Sequence, residues 1–224
     1  MPITAAHFNS QYGALIKQHS QPYTAPIQNV ALPYLQASLY PKFKCLGIDY
    51  APQLMGVYYQ PNFITYVPLR DATTCIISYQ FTGCYMAKLC YRGEWYGLHI
   101  ATSDTPWGDC QSVWKEFVHL NHRHISYLRI IKPSAERPYQ TWKTLKQHEK
   151  VKDLVRQTTT AGFFDREGNG YSLMYDYTGC CVQEGLPTGE VFQLTTPCCL
   201  MERDDREYFW PGQPICSGYT IKHH

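Results

Sequence analysis

Apolar and polar residues alternate through most of the first half of the chain. Between Lys44 and Ala101, short runs rich in Val, Ile, Tyr and Phe are separated by Gly, Pro and Asp, the punctuation of successive strands. The pattern predicts strands over Cys45–Ile48, Gly56–Tyr59, Phe63–Leu69 and Thr74–Phe81. A hairpin of Cys84–Tyr91 and Trp95–Ala101 follows, turning at Arg92-Gly93-Glu94. The period then changes. Asp104-Thr105-Pro106-Trp107 places a polar cap before a first-turn proline, a helix entry. Val113, Trp114, Phe117 and Val118 recur at helical spacing, which carries this helix to about Asn121. Ile125–Ile131 returns to strand character, and Thr141–Gln157 reads as a second helix. Trp142, Leu145, Val151, Leu154 and Val155 line its apolar side, while Lys143, Lys146, Lys150, Lys152 and Arg156 form a basic, solvated face. Tyr171–Tyr177, Glu190–Thr195, Cys198–Met201 and Tyr219–Ile221 complete the predicted strands. Residues 1–44 fit this pattern least. A short helix from Phe8 to His19 is followed by prolines at 22, 26, 33 and 41, which keep the chain extended or turning, as an irregular arm would be. Together these elements predict an α+β fold, a strand-rich sandwich-like core with two main helices packed on it. No break in composition divides residues 1–224 into two domains.

Composition narrows the function classes. A chain of 224 residues buries roughly 70–75% of its extended surface, enough for a full core without metal or disulfide staples. The net charge of +2 supplies no general attraction to nucleic acid or an anionic membrane, so neither is an expected partner. No apolar run approaches the length of a membrane span. Met1-Pro2-Ile3-Thr4-Ala5-Ala6-His7 lacks the basic and apolar regions of a cleavable signal peptide, so export would need another route. Ten cysteines are present without a Cys-x-x-Cys pair, and buried reduced thiols are the first expectation for them. No cofactor motif stands out, and a monomer is the expected state.

The hairpin carries the candidate chemistry. If Tyr91 pairs with Glu94, Met86 faces His99, and Cys84, Met86, Lys88 and Cys90 share a face with Trp95, Gly97, His99 and Ala101. The opposite face then collects Tyr85, Ala87, Leu89, Tyr96, Leu98 and Ile100, an apolar set suited to a core. Cys84 and His99 become diagonal neighbours with Cβ atoms about 7–8 Å apart, within side-chain reach. An imidazole at that distance can make or stabilise a thiolate. Gly83 leaves the approach to Cys84 open and permits an unusual backbone angle that aims amide N–H groups at a developing oxyanion. Thr82 and Gly83 are therefore positioning candidates. Ser78, Asp104 or a strand carbonyl can orient the histidine.

Phe81-Thr82-Gly83-Cys84, followed by His99, resembles the catalytic signature of the cytotoxic necrotising factor and Burkholderia lethal factor family. In those toxins the motif is Leu-Ser-Gly-Cys, so Phe81 and Thr82 are mild departures. The resemblance covers about twenty residues. It implies a compact α+β sandwich with Cys and His on neighbouring strands, the imidazole being oriented by a main-chain carbonyl. It also implies deamidation of a glutamine in a host protein by a secreted bacterial toxin or effector that acts in the host cytoplasm. A cysteine peptidase or acyltransferase using the same pair, and a non-catalytic binding domain with structural cysteines, are the alternatives.

Other constellations are weaker. Tyr175-Asp176-Tyr177-Thr178-Gly179-Cys180 nearly repeats Tyr79–Cys84, but the position fifteen residues after Cys180 is Thr195 rather than a histidine. His119, His122 and His124 lack the His-x-x-x-His spacing of a helical metal site and suit a helix C-terminus instead, so no metal is expected. Asp204, Asp205 and Glu207 read as a solvated loop. Asp165–Gly170 lacks the alternating oxygens of a calcium loop and reads as a turn.

Overall fold

The computed structural model describes residues 5–15, 42–102, 110–135, 158–176, 187–193 and 218–222. The helix entry at Asp104, the helix expected over Thr141–Gln157, the strand expected over Cys198–Met201 and the acidic run at Asp204–Glu207 lie outside these residues.

Two mixed six-stranded sheets are stacked face to face, the sandwich-like α+β core that the alternation predicts. The first sheet contains β1 (Phe43–Cys45), β4 (Ile64–Leu69), β6 (Tyr85–Tyr91), β7 (Glu94–Ile100), β8 (Ile125–Ile131) and β12 (Gly218–Lys222), in the order β1-β4-β7-β6-β8-β12. The second contains β2 (Gly47–Ala51), β3 (Leu54–Val57), β5 (Cys75–Ser78), β9 (Thr158–Phe164), β10 (Gly170–Asp176) and β11 (Pro187–Gln193). Its order is β11-β10-β9-β5-β3-β2. The strand expected over Cys45–Ile48 divides at Leu46. There the amide donates to Tyr66 O in the first sheet, and the carbonyl accepts from Tyr58 N at the start of the second. One residue thus hands the chain from sheet to sheet, and the apolar phase shifts by one there, from Phe43 and Cys45 to Leu46, Ile48 and Tyr50. Strand β9 is absent from the sequence-based expectation. Gly162 interrupts its apolar pattern, and that glycine lets the sheets approach: a Cβ there would lie 2.7 Å from Met86 Sδ.

Both faces of the β6–β7 hairpin are buried. Tyr85, Ala87, Leu89 and Tyr91 belong to the side covered by helix α2 (Cys110–Asn121), where the Phe117 ring lies 5.3 Å from Tyr91 and Tyr91 Oη donates to Asn121 Oδ1. Met86, Lys88, Gly97 and His99 face the second sheet. Close approach is required at Gly97 as well, because a Cβ would lie 2.8 Å from Ile76 Cγ2. Lys88, 1% exposed, spans the gap and donates to the carbonyls of Thr74 and Asp165. The outer face of the second sheet is covered in part by α1 (Ala5–Phe8) and the π-helical turn Asn9–Gly13 that continues it. Phe8 sits edge-on to Phe163 at 5.0 Å, so the helix expected from Phe8 starts earlier, at Ala5, and packs on the core. Among the described residues no helix is long and apolar enough to cross a membrane.

Candidate active site

The hairpin turn fixes the geometry of the site. Arg92 (φ 51°) and Gly93 (φ 85°) both occupy the left-handed region, as the central pair of a type I′ turn requires. That turn sets Tyr91 opposite Glu94, Met86 opposite His99 and Tyr85 opposite Ile100, the register expected from the apolar pattern. On the other side of β7, Thr65 of β4 pairs with His99. Cys84 precedes the first paired residue of β6 and is 2% exposed, while His99 is fully buried. The face that carries them is therefore not the open side of a single sheet. The second sheet closes over it, because the polar positions Lys88 and His99 find their partners there rather than in water.

Ser78, one of the candidate orienting groups, stands at the end of β5 and holds the imidazole. Its hydroxyl lies 2.8 Å from His99 Nδ1 and donates its single proton to Val57 O at 2.6 Å. With that proton committed, Ser78 Oγ can only accept from the ring, so Nδ1 carries the hydrogen and Nε2 carries the lone pair. His99 Nε2 is buried and has no hydrogen-bond partner. The orienting group is thus a side-chain hydroxyl backed by a main-chain carbonyl, where the family resemblance implies a carbonyl alone. Phe81 stacks on the imidazole at 4.2 Å and 13°, and Tyr59 lies 5.1 Å away on a tilted plane. Enclosed between aromatic rings, the imidazole has its pKa pushed down to about 3 by burial, so it is neutral at ordinary pH.

Around the thiol, Thr102 supplies two contacts. Its backbone N–H donates to Cys84 Sγ at 3.4 Å, and its hydroxyl lies 3.7 Å from the same sulfur. Burial pushes the Cys84 pKa up. The two Thr102 contacts, the Gly83 backbone and the charge of Lys132 act in the opposite direction. At neutral pH Cys84 is accordingly a thiol and His99 a neutral imidazole whose Nε2 has no hydrogen-bond partner, and burial of the two groups opposes charging either of them. The Tyr59 hydroxyl is raised first by its own burial and then by the neighbouring Cys84 and Cys110. Tyr59 therefore belongs to the surroundings of both the thiol and the imidazole.

Thr82 is exposed, and Gly83, Thr102 and Tyr59 are half-buried, so these residues form the outer side of the site. Gly83 does not use the left-handed backbone that a glycine permits. Gln80 does, at φ 66°, where the chain leaves β5 and turns Phe81 onto the imidazole. A Cβ at Gly83 would lie 3.5 Å from Thr102 Oγ1, an ordinary contact. Asp104 and Cys180 lie outside the described residues. Thr102 and Tyr59 were missed by the sequence reading. Thr102 falls three positions after His99, but nothing in a lone threonine announces a contact with sulfur.

The remaining candidates are accounted for locally. His122 Nδ1 bonds His119 O, and among the described residues no group of His, Cys, Asp and Glu is arranged to hold a metal. Asp165 accepts from Asn169 N, Asn169 Nδ2 and Tyr171 Oη, which makes Asp165–Gly170 a self-satisfied turn. Cys75, Cys84 and Cys90 are free thiols.

In comparisons with known protein families, curated proteins and solved structures, nothing matches this chain.

Proposed function

We propose that the chain is a bacterial toxin or effector that deamidates a glutamine side chain of a host protein, using Cys84 as nucleophile and His99 as general base and acid. The observation that carries this reading is the state of the imidazole: Nδ1 is pinned by Ser78, and Nε2 is a buried lone pair without a partner. Leaving a polar atom unsatisfied in a core costs about 1–3 kcal/mol, and a lone pair reserved for proton transfer accounts for that cost. The Thr82-Gly83-Cys84 motif and the register that sets Met86, two residues after Cys84, opposite His99 supply the second half of the argument.

In this mechanism the proton of Cys84 Sγ passes to His99 Nε2, and the thiolate attacks the carbon of the glutamine carboxamide. The tetrahedral adduct collapses with transfer of the imidazolium proton to nitrogen, so that ammonia leaves and a thioester remains. Neutral His99 then takes a proton from water, whose oxygen attacks the thioester. Glutamate forms as the proton returns to the departing sulfur. A free amine in place of water would give transglutamination by the same steps.

The test is intact-mass analysis of host-cell lysate proteins exposed to the purified chain. The expected result is one protein gaining the mass of an amide-to-acid conversion with release of ammonia and no backbone cleavage. Both Cys84→Ser and His99→Ala should abolish the change while keeping the fold. Backbone cleavage would replace the deamidase by a peptidase. Full activity of Cys84→Ser would end the assignment. The near-complete burial of Cys84 and His99 favours a second reading, a binding domain in which both are structural. It is selected if no substrate gains mass and both variants only lose stability.

A further inference from the structure

Resting on the reading of Cys84 and His99 as nucleophile and base, we infer that Thr102 is a further catalytic residue, the group that receives the thiolate. Once the sulfur proton has moved to His99 Nε2, the negative charge stays on a sulfur that is 2% exposed and closed off from water. Its stabilisation must come from donors already in place. Thr102 is built to supply them, through the backbone N–H at 3.4 Å and the hydroxyl at 3.7 Å.

The two contacts respond differently to the proton transfer. The backbone N–H donates to sulfur in either state. The hydroxyl is free to accept from an S–H, but toward a thiolate it can only donate. Proton transfer therefore turns the hydroxyl into a second donor without moving a heavy atom, and a hydrogen bond to the charged form favours that form. Thr102 directly follows Ala101 beyond the end of β7. The strand that carries His99 thus also brings the thiolate's donors to Cys84, and both members of the proton exchange are set by one backbone. The Gly83 backbone adds a weaker contribution, and the charge of Lys132 the weakest.

The test follows the Cys84 thiolate by its ultraviolet absorbance during a pH titration, with the Cys84→Ala protein as the blank that removes the other thiols. Thr102→Val keeps the shape and the backbone N–H but deletes the hydroxyl. Its titration midpoint is expected to rise by about one pH unit, a roughly tenfold loss of thiolate at a given pH below the midpoint. Thr102→Ser restores the hydroxyl and should return the midpoint close to that of the unmodified chain. An unchanged midpoint in Thr102→Val overturns the inference. So does an equal shift in Thr102→Val and Thr102→Ser, which would trace the effect to packing. The readout needs no substrate, so it separates this inference from the deamidase reading. A normal Thr102 response with no deamidation leaves Thr102 assigned and the reaction unassigned.

Discussion

At the scale of single residues, the decisive contact is the one between Ser78 and His99. Ser78 Oγ accepts from Nδ1 and donates to Val57 O, and removing it leaves both groups without that partner in the core. Ser78→Ala is therefore expected to lower the unfolding free energy by about 1–3 kcal/mol, measured by urea denaturation. It should also reduce kcat by roughly 10²-fold, because Nδ1–H is no longer specified and the lone pair is no longer held on Nε2. A loss of stability with kcat unchanged would make Ser78 a packing residue only. Ser78 was legible in the sequence as one of several orienting candidates, because it lies on a strand just before the motif. Thr102 and Tyr59 were not. Both reach the site from the ends of strands, where direction depends on how the chain leaves the sheet rather than on alternation.

The β6–β7 hairpin is the element that creates the site. Gly93 has φ 85° and no atom within 4 Å of where a Cβ would be, so substituting it tests backbone conformation without crowding. Gly93→Ala is expected to cost about 1–2 kcal/mol from the left-handed conformation alone. Chemical denaturation should detect this loss, while the Met86–His99 register and residual activity persist. A cost near zero would mean that the turn relaxes to another type. This hairpin could be read from the sequence because its turn residues and its period of two agree. Other elements gave less. The division between β1 and β2 at Leu46 is marked only by a one-residue shift of apolar phase after Cys45, and β9 is held by Gly162 under Met86 and Phe81, a packing requirement that lowers strand propensity locally. The N-terminal helix was anticipated near Phe8, but its burial of Phe8 and Tyr12 against the second sheet was not.

For the whole molecule, the α+β sandwich was legible because alternation, turn signals and the α2 periodicity point the same way. How the sheets stack was not, since period-two patterns name a face without naming what covers it. Stacking makes His99 neutral and gives the fold an acid-sensitive component. Its pKa is about 3 when folded and 6.5 as an ordinary histidine. Between these values the unfolded chain holds a proton that the folded one refuses, so stability must fall as pH drops from about 6.5 towards 3. The limiting slope is about 1.4 kcal/mol per pH unit. Urea midpoints measured across that range should fall less steeply in His99→Gln, which cannot take the proton. Parallel slopes in the two proteins would assign the acid sensitivity to other groups.

The bond between Ser78 and His99 joins the two sheets, and this gives the site an order of assembly. The hairpin closes through neighbours in sequence, an event on the scale of about 1–10 μs. The pairing of β5 with β9 joins Ile76 to Phe164 and Ser78 to Gly162 across a long stretch of chain, a slower kind of closure. During the interval a folding chain holds Met86 opposite His99, but the ring is wet, either nitrogen carries the proton, and it titrates as any free histidine does. Register is inherited from the hairpin; sheet closure fixes which ring nitrogen carries the hydrogen and lowers the ring's affinity for a second proton. The second sheet thereby acts as a timer that leaves the tautomer of His99 undecided in every chain that has not finished folding.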